Sequence, residues 1–104
     1  MSTRSALFIQ NDDSTWNEIY CHYDGYPAHM MPALANADPD AILAAQEIRQ
    51  IQDDGQVQAF PTPRRAEQTR TPTIPDWAEY AYILTAAGWK AARTDAEAAQ
   101  AAAA

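Results

Sequence analysis

The stretch Ile19-Tyr20-Cys21-His22-Tyr23-Asp24-Gly25-Tyr26-Pro27 decides how this chain can fold. Its first half is dominated by β-branched and aromatic side chains, the composition of a strand. With a period of two, Ile19, Cys21 and Tyr23 point to one face, and Tyr20, His22 and Asp24 to the other. Asp24-Gly25 is a turn signal, predicted to put Gly25 at positive φ and to bond Asp24 to nearby backbone. Pro27 has no amide hydrogen to continue a ladder and holds Tyr26 extended.

Working outward from that stretch, Ser5–Gln10 reads as a first strand and Asn11-Asp12-Asp13-Ser14 as a polar turn. With a second strand from about Trp16 to Tyr23, this predicts an antiparallel hairpin. Tyr26 through Ala37, with Pro27, Pro32 and Met30-Met31, fits either a loop or a short irregular helix. Its methionines suit gap filling better than ligation. Asp38-Pro39-Asp40 carries an N-cap, a proline for the first helical position and an acid for the positive dipole end. The glycine- and proline-free run that follows predicts a helix from about 39 to 53, with Ala41, Ala44, Ala45, Ile48 and Ile51 as its apolar stripe.

Prolines 61, 63, 72 and 75 break any regular pattern between Gly55 and Pro75, apart from a possible short edge at Val57–Phe60. That segment reads as a long Pro/Arg-containing loop. Asp76–Lys90 alternates well enough for a strand at Tyr80–Leu84, with Ala87-Gly88 as a turn before Trp89. A helix from Asp76 is the competing reading there. The expected fold class is therefore α+β, with a small antiparallel sheet made of an N-terminal hairpin and a C-terminal strand pair, and one main packed helix. Residues 1–90 make the single domain, and the alanine-rich 91–104 is expected as a frayed helix or disordered tail.

The 104 residues suffice for one modest core, and a single cysteine leaves no internal disulfide to staple it. The first residues lack the apolar core of a signal peptide, and no apolar run approaches the ~20 residues of a spanning helix. A soluble, intracellular protein is the expectation. The net charge of -7 is unevenly placed. Residues 1–54 hold nine acids against Arg4 and Arg49, whereas residues 55–104 hold five of each sign. That sign is wrong for a general nucleic-acid binder and right for a basic partner, although acidity also serves plain solubility.

Cys21, His22, Asp24 and His29 invite a metal site or a cysteine nucleophile with a histidine base. On a strand Cys21 and His22 face opposite sides, so neither constellation converges. A structural cysteine and a hydrogen-bonded surface histidine fit better. No Gly-rich phosphate loop, His-Glu-x-x-His helix or serine elbow occurs, so a non-enzymatic protein without metal or cofactor is expected. Tyr20, Tyr23, Tyr26, Trp77, Tyr80, Tyr82 and Trp89 exceed the obvious needs of so small a core, and serve either packing or an interface.

Leu7–Gln10, the turn Asn11–Ser14 and the block Ile19–Pro27 together resemble a family of small, mostly uncharacterised phage and prophage proteins with an Ile-Tyr-x-His-aromatic-Asp-Gly-Tyr-Pro signature. Glu79–Leu84 and Gly88-Trp89 resemble that family's acidic, aromatic C-terminal strands. The chain departs from it at Met30-Met31-Pro32, where such proteins carry a glycine, and in the 55–75 segment and alanine tail. The resemblance implies a phage-encoded binding protein in the cytoplasm of an infected or lysogenic bacterium. Its expected role is inhibition of a host defence or nucleic-acid-handling complex, such as CRISPR interference in the manner of anti-CRISPR proteins, with a structural or accessory phage protein, or a small metal-binding or cysteine-dependent enzyme, as the alternatives. The partner would be a host protein or nucleoprotein complex with a basic surface. The expected contacts are Asp12, Asp13, Glu18 and Asp24 on the hairpin and Asp38, Asp40, Glu47, Asp53 and Asp54 along the helix, with Tyr20 and Tyr26 as anchors. Arg64, Arg65 and Arg70 form a basic counterpart that would touch nucleic acid or an acidic partner.

Overall fold

Five of the six residues of β1 (Ser5–Gln10) are buried, so this strand needs cover on both faces and cannot lie at an edge. The computed structural model describes residues 2–103. After β1 come β2 (Trp16–Cys21), α1 (Pro27–Asn36), α2 (Pro39–Ala45), β3 (Glu47–Ile51) and β4 (Val57–Ala59). The chain continues through β5 (Glu67–Thr69), β6 (Tyr80–Thr85), β7 (Gly88–Ala92) and α3 (Asp95–Ala103). Among the described residues the seven strands form one sheet in the order β4-β3-β2-β1-β6-β7, with β5 beside the first half of β2.

The two faces of that sheet carry separate cores. Leu7, Ile9, Ile19, Cys21, Ile48, Ile51 and Tyr82 pack against Met30, Ala33 and Leu34 of α1 and Ile42 and Ala45 of α2. Met30, Ala33 and Leu34 keep the i, i+3, i+4 spacing of one helical face. On the opposite face Ala6, Phe8, Trp16, Ala81, Ile83 and Ala92 pack under Ala98 of α3, with Ile74, Trp77 and Ala78 alongside. The alanine-rich tail is thus a docked helix. Thr94 and Glu97 cap it reciprocally: Glu97 N donates to Thr94 Oγ1 at 3.1 Å, and Thr94 N to Glu97 Oε1 at 3.2 Å.

The expected antiparallel sheet with one main helix is incorrect in both parts. The molecule is a compact α+β domain whose sheet is mixed: β1 pairs antiparallel with β2 but parallel with β6, and β2 pairs parallel with β3. Three helices of seven residues or more replace the single one. The predicted helix does begin at Asp38, whose side chain accepts from Asp40 N at 3.0 Å, but it ends at Ala45. Gln46 turns the chain out with φ of 64°, and its side-chain amide donates to Leu43 O at 2.6 Å. Residues 47–51 then fill the open edge of β2, where long-range pairing outweighs local helix propensity. Ile48 and Ile51 both reach the core despite odd spacing because the β3–β4 register shifts between Ile48 and Gln50.

The turn at the end of β2 is also built differently from the expectation. Positive φ belongs to Asp24 (55°), a residue type that tolerates the left-handed region. Its carboxylate accepts from the Gln50 side-chain amide rather than from nearby backbone. Gly25 is needed for space: a Cβ there would lie 2.6 Å from Thr3 O and 2.9 Å from Ser5 Cβ. Gly25 N donates to Thr3 O at 2.9 Å, and the buried Tyr82 hydroxyl donates to Gly25 O at 2.6 Å. Gly25→Ala should therefore destabilise by about 1–3 kcal/mol through overpacking. A neutral result in urea unfolding would refute the close approach. Tyr82→Phe should cost about 1–2 kcal/mol, because it leaves the Gly25 carbonyl buried without a donor. Unchanged amide exchange at residues 24–26 in that variant would show that the hydroxyl does not hold the turn.

Candidate functional site

The face of β2 that carries Trp16, Glu18 and Tyr20 is only partly covered. Trp16 lies under α3's side of the sheet and is buried, while Glu18 and Tyr20 are half-buried. Two different neighbours share the outer edge of β2. β5 pairs with its first half and sets Glu67 directly opposite Glu18; β3 pairs with its second half and sets Glu47 opposite Tyr20. Trp77, from the segment before β6, packs against the Tyr20 ring with centroids 4.9 Å apart. Phe60 and His22 continue the aromatic surface, and Tyr20 OH lies 2.5 Å from His22 Nδ1.

The proline-containing segment between β4 and β5 closes this face into a cleft of about 340 Å³. It is held by the start of β3. Glu47 is buried and accepts from Arg64 N at 3.1 Å and from Arg64 Nε at 2.9 Å. Ala66 N donates to Gln46 Oε1 at 2.9 Å. Arg4, Arg65 and Glu67 complete the charged lining.

The two carboxylates on the floor behave oppositely. Burial pushes the Glu18 carboxyl above its ordinary value, and the facing Glu67 charge pushes the same way. For Glu47 burial also acts upward, but the Arg64 amide, the guanidinium hydrogen bond and the guanidinium charge together hold it below the ordinary value. Like charges set directly opposite on paired strands destabilise a sheet.

A second group of acids gathers outside the cleft, with no lining residue in common. Asp24, Asp53 and Asp54 surround His29, Gln50 and Gln52, and Asp54 and Asp38 border the adjoining depression beside α2. Asp40 adjoins Asp38 through its amide hydrogen bond. Gly55, at φ of 89°, lets the β3–β4 turn press on the end of α1: a Cβ there would stand 2.3 Å from the Asn36 carbonyl. Asn36 Nδ2 reaches Asp53 O at 3.1 Å. His29 contacts Ile51 O through Nε2 at 2.7 Å and Asp53 through Nδ1 at 3.2 Å. No Lys or Arg pairs with an aspartate of this group among the described residues.

The fourteen contact residues expected from sequence thus separate. Glu18, Tyr20, Glu47, Arg64 and Arg65 meet in the cleft. Asp24, Asp38, Asp40, Asp53 and Asp54 meet at the acidic end, where the exposed Tyr26 ring stands 6.1 Å from that of His29. Asp12 and Asp13 occupy the β1–β2 turn, and Arg70 follows β5; all three are exposed. In the turn Asp13 accepts from the Thr15 hydroxyl and amide, which holds its carboxyl below the ordinary value. Arg4, Glu67 and Trp77 join the cleft without a local signal, since each comes from a different part of the chain.

Cys21 is fully buried, and burial, opposed only in part by hydrogen bonds, pushes its thiol up to about 12. It is held in the core as an inert side chain. Among the described residues no three His, Cys, Asp or Glu side chains are grouped to hold a metal ion. None of the described helices is long and apolar enough to cross a membrane. Comparison of the chain with protein families, with curated proteins and with solved structures finds no match.

The floor carboxylates give a stability test with opposite signs. Glu18, with a raised folded pKa, opposes folding when ionised; the penalty disappears as pH falls through that raised value. Glu47, with a lowered one, contributes stability that is lost as pH falls through its folded value. Glu18→Gln should therefore stabilise the protein at pH 7 by about 0.5 kcal/mol, the scale of a cross-strand charge conflict. It should also flatten the part of the pH profile just above the ordinary carboxylate range. A destabilised Glu18→Gln in thermal unfolding at pH 7 would contradict the conflict.

Proposed function

We propose that this protein works by stoichiometric binding rather than by catalysis, and that its partner presents a basic surface. The observation that carries this reading is the acidic end. Asp24, Asp38, Asp40, Asp53 and Asp54 come from three separate stretches of chain and gather in and beside two adjoining depressions, with no Lys or Arg paired to them among the described residues. Acidic side chains so placed compete with phosphate for the lysines and arginines of a nucleic-acid-handling surface. The resemblance of Ile19–Pro27 to phage proteins supports the narrower reading, a phage-encoded inhibitor of a bacterial defence complex such as CRISPR interference machinery.

Asp53→Lys with Asp54→Lys reverses an exposed pair and removes two contacts at the surface, that of Asp53 with His29 and the hydrogen bond that Asp54 Oδ1 accepts from Gln56 N. Surface pairs of that kind contribute little, so unfolding should shift by less than about 1 kcal/mol. Binding to a basic nucleoprotein complex should weaken by about tenfold or more, chiefly through the association rate and chiefly at low salt. Measured association rates that ignore both the substitution and the salt would exclude this surface. Turnover of a substrate by the folded protein, with no complex bound, would end the binding reading itself.

A further inference from the structure

Four charged side chains line the cleft without satisfying one another. Glu18 and Glu67 stand opposite each other on β2 and β5, and Arg4 and Arg65 come from chain segments on either side. Among the described residues Arg64 pairs with Glu47 and no Lys or Arg pairs with Glu18 or Glu67, so these two acids and two bases have no ionic partner among them. The rings of Tyr20 and Trp77, packed on each other, line the same cleft. The cleft is therefore dipolar, aromatic-walled, and balanced in charge.

We propose that it is a recognition site for a dipolar ligand that joins a guanidinium to a carboxylate, namely a C-terminal arginine of a peptide. A flat guanidinium suits this floor better than a compact ammonium does, because it can stack on Tyr20 or Trp77 while donating in its plane to Glu18 and Glu67. Its arrival places a positive charge between two carboxylates that face each other on paired strands; burial first, and the Glu67 charge second, push the Glu18 carboxyl above its ordinary value. The ligand's own carboxylate meets Arg4 or Arg65, for which charge-assisted hydrogen bonds are the strongest available contact. A purely anionic ligand would face the floor acids, and a purely cationic one the rim arginines. At about 340 Å³ the cleft is near the lower bound of small-ligand sites, room for one long side chain and its terminus. Arg64 is engaged by Glu47 and serves to hold the wall in place.

This inference does not rest on the acidic end, and the test separates the two. The protein is titrated in NMR with N-acetylarginine, with N-acetylarginine amide, which lacks the carboxylate, and with N-acetylalanine, which lacks the cation. N-acetylarginine should shift the Trp77 indole and Tyr20 ring signals and bind several-fold tighter than either truncated probe. Glu18→Gln should weaken it by about tenfold, the loss of one charge-assisted contact. Arg65→Gln should erase part of the preference for N-acetylarginine over its amide, and the unperturbed Trp16 indole reports that each variant remains folded. Asp53→Lys with Asp54→Lys should leave all these titrations unchanged. Equal binding of the three probes, or shifts that survive Glu18→Gln undiminished, would overturn the proposal, as would the absence of any Trp77 shift with N-acetylarginine.

Discussion

The buried hydrogen bond from Tyr82 to the Gly25 carbonyl fixes the point where the rest of the fold is decided. Gly25 also donates to Thr3, so one residue ties the end of β2 to the N-terminal strand's entry and to the centre of β6. Asp24 bends the chain there at φ of 55°, and Tyr26 and Pro27 start α1 immediately afterwards. The direction of α1 follows from that anchor, and with it the return of the chain through α2 to lay β3 beside β2. His22 N and Tyr23 N, just past β2, donate to Ile48 O and Arg49 O, so the ladder to β3 continues up to the turn itself. A bulkier residue at position 25 would separate elements that lie far apart in sequence, which is why the glycine serves packing rather than conformational freedom.

Cover on the second face of the sheet then determines where chemistry can occur. α3 and residues 74–78 protect the β1–β6–β7 side, but they stop at Trp77. Beyond that ring the face of β2 and β3 is sealed only by the segment between β4 and β5, held through Gln46 and Glu47. A half-buried carboxylate at Glu18 is tolerable in this position because the cleft still admits water. Full cover would make the same ionised group far more costly.

Much of this was legible locally and the remainder was not. β1 is readable from its short apolar run, and the N-terminus of α2 from Asp38-Pro39-Asp40, because both signals are contained in a few adjacent residues. β3 is not, because Ile48 and Ile51 are spaced as on a helix and only the register shift against β4 explains their common face. The parallel pairings of β1 with β6 and of β2 with β3 leave no local trace at all, since they depend on which edges remain open after the hairpin forms. α3 is undervalued by composition: alanine buries little area, yet Ala98 fits fully against the sheet and the Thr94–Glu97 cap starts the helix cleanly. For the site, individual acids and aromatics were visible, but their grouping was not. Glu67 acquires its meaning only from a three-residue strand placed opposite Glu18.

The two charged regions differ in range, and this gives them different physical capacities. Asp24, Asp38, Asp40, Asp53 and Asp54 share one sign, so their fields add outside the molecule and extend to about the 8 Å Debye length of physiological salt. Such a surface biases encounters but discriminates poorly among basic partners, because like-signed rim charges impose little geometry. In the cleft the lining acids and bases cancel at a distance, so its field is negligible until a ligand touches it. Contact there requires opposite charges at the right separation against an aromatic wall, which is a geometric demand and therefore a selective one. In the proposed reading, an encounter governed by the acidic end and a recognition governed by the cleft use different salt dependences and different residues. The direct opposition of Glu18 and Glu67 on paired strands is the pattern expected when local optimisation yields to a binding demand.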